Sequence, residues 1–367
     1  MSLSRDDLRA AVAAGMISEA QAASVLALSE RRRGVRENMD GLDEPFELFR
    51  GFNEIFIVVG LVILYAGWMG VTGLSALTSL GPTSASFSTF ALVTMATSAG
   101  LAWYFTLRRR MVAPSIALTI MFGLAALQLG ASLGWQIGLN YQERAVFTGG
   151  VATLAMAGWY AGFRIPFSMA LLALGVFATA GAALILQGAG LTDPRALFLL
   201  SADGPFAWLT VLLGLVGLAA AMAFDMSDPH RVTRRAQTGF WLHVVAAPAI
   251  VNSVALTLFT DGSAGAQLLL VAFLAAIAVF AVAIDRRSFL VAGVGYVVAL
   301  SFGVLEDNAM LAILLLGLGL VLLGAQWERL RAGLMRALPA FPGKDRLPPW
   351  TLLPGPTAQG PNTQGQT

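Results

Sequence analysis

The sequence predicts an all-α, polytopic membrane protein with about ten transmembrane helices and a small N-terminal cytoplasmic helical hairpin. Of its 367 residues, 57% are hydrophobic and only 12% are charged, and the mean hydropathy is +0.74. A soluble domain carries about a quarter of its residues as charged ones. From Glu54 onward, apolar blocks alternate with short polar breaks. Much of the surface must therefore face lipid, and the lipid bilayer is the first expected partner.

The length of each apolar block sets the expected number of spans. Roughly 20 mostly apolar residues are needed to cross the hydrocarbon layer. Ten blocks fit, at residues 54–74, 86–106, 112–135, 145–163, 167–187, 205–224, 239–259, 265–284, 288–305 and 309–326. The ninth is the shortest, and merging or dropping it would place the C-terminus on the outer side.

Arginine placement favours ten spans with both termini inside. With the N-terminus in the cytoplasm, the cytoplasmic breaks hold most of the arginines, namely Arg108, Arg109, Arg110, Arg164, Arg231, Arg234, Arg235, Arg286 and Arg287. The opposite breaks hold only Arg144 and Arg195. Because positive residues stay on the side of synthesis, this pattern predicts a bacterial inner-membrane protein with cytoplasmic ends.

Three of the cytoplasmic turns look alike, at residues 104–114, 160–168 and 281–290. They fit a weak repeat of helical hairpins. The alternative is that any short cytoplasmic turn attracts arginine.

The N-terminal residues 1–33 predict a cytoplasmic helical hairpin, with Gly15 as the left-handed residue that ends its first helix. Two such short helices bury little surface by themselves. We therefore expect residues 8–28 to bind a protein partner or a second copy, or to lie on the membrane. No apolar run begins before Ile55, so we expect no secretory signal.

Two further segments flank the transmembrane bundle, which we place at residues 54–326. Residues 34–53 form an acidic linker whose Phe46, Phe49 and Phe52 fit a short helix at the membrane surface. Residues 327–367 predict a basic surface helix followed by a disordered, Pro-rich tail.

The composition excludes several kinds of chemistry. The chain has no cysteine and only two histidines, His230 and His243, so we expect no disulfide and no metal site. Every Asp, and every Glu except Glu54, falls in an expected loop, linker or tail. Proton-coupled transporters keep carboxylates inside the bundle. With no cofactor motif present, we expect no cofactor, no nucleic-acid partner and a non-enzymatic protein.

The seventh span holds the strongest ligand or gating candidates. Pro248 removes a backbone donor and clashes with the carbonyl one turn back, so we expect a kink, with His243 before it and Asn252 beyond it. His243 either serves such a site or bonds a neighbouring carbonyl, since no partner for it is evident. Gln128 either lines a path or bonds another helix. Glu54 is either a gate or a complement to the dipole of its own helix.

Glycines at four-residue spacing predict close helix packing. They are Gly130, Gly134 and Gly138 around the third span and Gly158 and Gly162 in the fourth. Small residues on one face let two helix backbones approach closely, so these two spans are expected to pack on each other.

The N-terminal segment also resembles a known bacterial group. Leu8 to Leu28, with its turn Gly15-Met16-Ile17-Ser18-Glu19-Ala20-Gln21, resembles the start of the predicted membrane proteins classed as domain-of-unknown-function 2157. The run Phe52-Asn53-Glu54-Ile55 into Gly60 and Trp68, and the segment Trp241-Leu242-His243, are also similar. The resemblance covers the hairpin and first span best. It implies the architecture and no catalytic residue, because the family has no established activity.

These observations favour a non-enzymatic accessory, sensing or assembly protein that docks a partner through its hairpin. The alternative is a transporter or facilitator of a small neutral or amphipathic solute, with a path near His243, Asn252 and Gln128. A membrane-embedded enzyme acting on lipid is a third reading, and it needs a partner for His243.

Overall fold

The computed structural model describes residues 8, 10–12, 14–17, 21, 25, 53–78, 84–229, 231, 233–304, 309–348 and 350. Within these residues the chain forms helices, turns and loops and no strand. The acidic linker, apart from Asn53, and the tail after Trp350 lie outside them, as does most of the hairpin. Of the hairpin, Gly15 has the predicted left-handed φ of 68°.

From Asn53 onward, the described residues form eleven α-helices. They are α1 (Asn53–Thr78), α2 (Ser84–Ala102), α3 (Val112–Gln136), α4 (Tyr141–Phe163), α5 (Pro166–Leu186), α6 (Phe206–Ser227), α7 (Arg234–Asp261), α8 (Ala264–Ile284), α9 (Ser288–Val304), α10 (Ala309–Ala325) and α11 (Trp327–Ala337). A π-helical turn, Trp103–Arg108, continues α2.

Eight of these helices, α1 to α8, are long and apolar enough to cross a membrane. The chain is therefore a multi-pass membrane protein by the length and composition of its described helices. The helices α9 and α10 are also apolar, but each has 17 residues and is shorter than the other eight.

Side-chain caps explain where two helices differ from their expected spans. Helix α4 begins at Tyr141, four residues early, because Asn140 and Glu143 form a capping box. Helix α7 begins at Arg234, because the Thr233 hydroxyl accepts a hydrogen bond from the amide of Arg235.

Two helices lie at the centres of the bundle. Helix α3 packs against α1, α2 and α4, whereas α7 packs against α5, α6, α8 and α9. These two are also the most buried of the eight apolar helices. Around α3, the rings of Phe122 and Trp159 stack at 4.3 Å, and the Trp159 indole donates to Thr119 at 3.0 Å.

The two ends of the bundle differ in their turns. At one end, which we call the arginine end, α2–α3, α4–α5, α6–α7 and α8–α9 are joined by turns holding Arg110, Arg164, Arg231 and Asp285, all at positive φ. At the other, which we call the glycine end, the positive-φ residues of the connections are Gly138, Gly188, Gly204 and Gly262. The three turns that look alike in sequence all lie at the arginine end.

Close contact between α3 and α4 depends on two of the five expected glycines. A Cβ at Gly130 would lie 2.8 Å from the Thr148 Cα, and one at Gly134 would lie 3.0 Å from the Arg144 Cγ. The other three do not fit the expectation. Gly138 lies after α3 with φ of 76°, and a Cβ at Gly158 or Gly162 would have nothing within 4 Å among the described residues, so their spacing reflects no close crossing there.

Candidate functional site

A cluster of three charged or titratable side chains joins α6, α7 and the α8–α9 turn near the arginine end. Asp225 lies in the last turn of α6, and its Oδ2 is 2.9 Å from Nε2 of His243 on α7. Arg286, in the α8–α9 turn, donates from Nε to the same Oδ2 at 2.9 Å and from a terminal nitrogen to Oδ1. All three side chains are buried. We call Asp225, His243 and Arg286 the charge cluster.

A glycine makes room for this cluster. A Cβ at Gly239 would lie only 2.4 Å from Oδ1 of Asp225, so a larger residue there would push the carboxylate out of place. One turn earlier on α7, the carbonyl of Ala236 accepts a hydrogen bond from Arg286 at 2.9 Å. The chain therefore brings the carboxylate and the guanidinium against the backbone of α7, where small residues allow a close approach.

The hydrogen-bond pattern identifies the donor between His243 and Asp225. Because an ionised carboxylate only accepts hydrogen bonds, Nε2 of His243 is the donor to Asp225. Its Nδ1 has no hydrogen-bond partner in the described part of the chain.

A second ion pair lies near the cluster. Arg231 in the α6–α7 turn pairs with Asp285 at 2.9 Å and also donates to the Asp285 carbonyl. The indole of Trp327, the first residue of α11, donates to the same Asp285 carboxylate. Burial lowers the pKa of Arg231 and the nearby charge of Arg286 adds to the effect, while Asp285 opposes it. The turns of two hairpins and the surface helix α11 thus meet at one carboxylate.

The segment after α11 folds back over the same end of the bundle. Arg331 on α11 is buried and donates to the carbonyl of Pro348 at 2.6 Å. Leu347 packs with Met335 and Ala283 in a small apolar cluster. Helix α11 lies within the segment where a basic surface helix was expected, and its Arg331 is turned inward. Burial lowers the pKa of the Arg331 guanidinium.

The structure does not gather the expected ligand or gating residues into one site. Asn252 follows His243 by nine residues on α7, about 14 Å along a helix, and is half-buried. Pro248 lines a cavity of about 370 Å³ between α5, α6 and α7, and neither His243 nor Asn252 lines it. Helix α7 continues through Pro248, so the expected kink stays a prediction.

Gln128 and Glu54 belong to the other half of the bundle. Gln128 donates to the carbonyl of Phe87 on α2 at 3.2 Å, so it bonds another helix. Glu54 is buried, and its Oε2 accepts a long hydrogen bond of 3.4 Å from the amide of Ala113. Its carboxylate therefore lies at the N-terminus of α3, a neighbouring helix, where the helix dipole favours a negative charge.

The charge cluster corrects two expectations. Asp225 was expected in a loop after residue 224, but α6 continues to Ser227 and buries its side chain. His243 does have a partner, because Asp225 faces it across the α6–α7 hairpin. Two arginines expected only to set topology are also buried. Arg286 completes the cluster, and Arg234 donates to the carbonyls of Phe163 and Arg164.

Sequence reasoning missed the cluster for a specific reason. Asp225 and His243 are 18 residues apart and lie on either side of a polar break, so each reads as a span-end residue. Their distances from the turn do not match, because Asp225 lies two residues before the end of α6 and His243 nine residues after the start of α7. Gly239 faces the carboxylate but carries no distinctive spacing.

Comparisons with known proteins leave the chain without a match. No protein-family model, no protein of curated function and no solved structure matches it. No metal-binding group of three or more His, Cys, Asp or Glu residues occurs among the described residues.

Proposed function

We propose that this chain is a non-enzymatic protein of the bacterial inner membrane that acts in assembly, sensing or another accessory role. One observation carries the proposal. Asp225 and Arg286 use their hydrogen-bonding groups to join α6, α7 and the α8–α9 turn, and all three side chains of the charge cluster are buried. A catalytic or ion-conducting site needs access for its substrate, so this cluster supports a structural use of the intramembrane charges.

The proposed topology has ten spans, with α9 and α10 as the last two and both termini in the cytoplasm. The arginine end holds Arg108, Arg110, Arg164 and Arg287, which the positive-inside rule assigns to the cytoplasm. The resemblance to the domain-of-unknown-function 2157 group is part of the same proposal. A reporter fused after residue 367 tests the topology, since a fusion active only in the periplasm would overturn it.

The docking element in this proposal is the N-terminal hairpin, through residues 8–28. The test is to purify the intact chain in mild detergent and to compare it with a chain lacking residues 1–33. A chain lacking residues 351–367 is the matched control, because it loses a segment from the opposite terminus and keeps the hairpin. We expect a specific partner, or a second copy of the chain, to be lost only from the first deletion. Equal partner sets and equal oligomeric mass in all three would overturn the proposal.

A second function has one observation in its favour. The cavity beside Pro248 lies deep along α7 and includes Val244, whose carbonyl lacks a helical donor because proline has no N–H. A facilitator of a small neutral or amphipathic solute would use such a space. Leu174→Trp, which places a large ring at the lining, should then slow glycerol entry into proteoliposomes. Unchanged entry relative to protein-free vesicles would exclude this function for glycerol.

A further inference from the structure

The end of α2 carries an unusual helical turn at the arginine end. Trp103–Arg108 form a π-helical turn, which is closed by a hydrogen bond from the amide of Arg109 to the carbonyl of Tyr104 at 3.0 Å. The chain then passes through Arg110 in the left-handed region, with φ of 54°. Single π turns are rare and occur often at functional sites. The turn places aromatic and basic side chains together at the membrane boundary.

Arg108 in this turn and Arg109 directly after it both contact aromatic side chains. The guanidinium of Arg108 lies 4.4 Å from the ring centre of Trp103, and Nε of Arg109 donates to the hydroxyl of Tyr104 at 3.1 Å. All four side chains are exposed. No carboxylate pairs with Arg108 or Arg109 within the part of the chain that the structure describes. Because a stacked guanidinium keeps its N–H edges free, both arginines can still donate to an anion.

An apolar groove leads away from this turn along the same helix. It has a volume of about 320 Å³ and lies between α1, α2 and α3, with Leu101, Ser98 and Thr94 of α2 along one wall. Trp68 of α1 forms part of the opposite wall, and its indole is already satisfied by Thr94 at 2.9 Å. The groove therefore offers an apolar lining with no unmet hydrogen-bond donor at this indole. Its last α2 residue, Leu101, is two positions before Trp103.

We propose that the groove and the π turn together form a binding site for one anionic phospholipid. An acyl chain lies in the groove, and the phosphate accepts hydrogen bonds from Arg108 and Arg109. Arginine near the membrane surface favours anionic headgroups, and its fork geometry suits phosphate.

The experiment titrates the purified full-length chain in detergent with phosphatidylglycerol and, separately, with phosphatidylcholine of the same acyl chains. Native mass spectrometry counts bound lipid. We expect one tightly bound phosphatidylglycerol and weaker binding of phosphatidylcholine. Arg108→Gln with Arg109→Gln should weaken phosphatidylglycerol binding roughly 25-fold, since each arginine contributes about a fivefold factor.

A matched control exists at the glycine end. Arg144 lies 4.9 Å from the ring centre of Trp135, so Arg144→Gln removes a similar arginine–tryptophan pair elsewhere. This variant should bind phosphatidylglycerol as the wild type does. Gly67→Leu should also weaken binding, because Gly67 lines the groove and a Cβ there would meet nothing within 4 Å among the described residues.

Three results would overturn the proposal. One is unchanged affinity in the double arginine variant, and another is equal affinity for the two lipids. The third is displacement of phosphatidylglycerol by inorganic phosphate at an equal concentration. That result would indicate a site that binds phosphate alone, without a contribution from the groove.

Discussion

The arginine end and the glycine end of this bundle hold their helices together by different means. At the arginine end, contacts between helices use charges, as between Asp225 and Arg286. At the glycine end they use neutral groups, as where Ser88 bonds to both Ser132 and Gln136. The end of the bundle that is predicted to lie on the positively charged side of the membrane is thus also the end where charged side chains join the helices.

The largest difference between the two ends should come from removing a single charge. Asp225→Asn leaves Arg286 buried without its counter-ion, which should lower the free energy of unfolding by about 3–5 kcal/mol. Unfolding in mixed detergent micelles measures this. Asp193→Asn at the glycine end is the control, since Asp193 is exposed and accepts only a local hydrogen bond. The double variant Asp225→Leu with Arg286→Met should recover much of the loss. A cost no greater than that of Asp193→Asn would mean that the charges do not hold the arginine end.

A methyl group placed against the same carboxylate should have the next largest effect. Gly239→Ala brings a Cβ within 2.4 Å of Asp225 Oδ1, and such overpacking costs about 1–3 kcal/mol. Gly158→Ala is the matched control, because its Cβ would have open space and alanine favours a helix. Thermal unfolding of both variants checks the difference. Equal melting temperatures would show that Asp225 can move at no cost.

The left-handed turns should respond with opposite signs at the two ends. Arg110→Gly relieves a conformation that costs an L-residue about 1 kcal/mol, so this variant should be more stable. Gly262→Ala imposes the same cost at the glycine end and should be less stable by about 1 kcal/mol. Both are measured by detergent unfolding. Should the two changes have the same sign, the turn residues would not be responding to backbone strain.

The smallest effect should come from a neutral contact at the glycine end. Ser88→Ala removes a hydroxyl that bonds Ser132 at 2.8 Å and Gln136 at 2.6 Å. Hydrogen bonds between membrane helices contribute about 0.6 kcal/mol on average, so the change should be well below that of Asp225→Asn. The same unfolding titration compares them. A loss as large as that of Asp225→Asn would erase the distinction between the ends.

The helices could be predicted because contact with lipid requires apolar residues along the whole length of each span. All ten expected blocks correspond to helices, and eight of them have the length and composition of spans. Helix bounds were less predictable, since the caps at Asn140 and Thr233 depend on local hydrogen bonds. The contact of Gly130 with Thr148 follows from glycine spacing, but the same spacing at Gly158 meets nothing within 4 Å among the described residues.

The charge cluster was beyond the reach of the sequence pattern. His243 was singled out, yet its partner Asp225 read as a loop residue and Arg286 as a topology signal. Pairing across helices depends on how α6, α7 and α9 pack, and no periodicity within one helix contains that information. Glu54 illustrates the same limit. It lies in the first turn of its own helix, as expected, but its hydrogen bond goes to the start of α3.

The separation of Asp225 and Arg286 along the chain has a consequence for biosynthesis. Arg286 is made 61 residues after Asp225. At roughly 5–20 residues per second, the ribosome needs about 3–12 s to supply the guanidinium. During that interval the nascent α6 must keep its carboxylate hydrated or protonated, so its final docking awaits the emergence of the later hairpin from the insertion machinery.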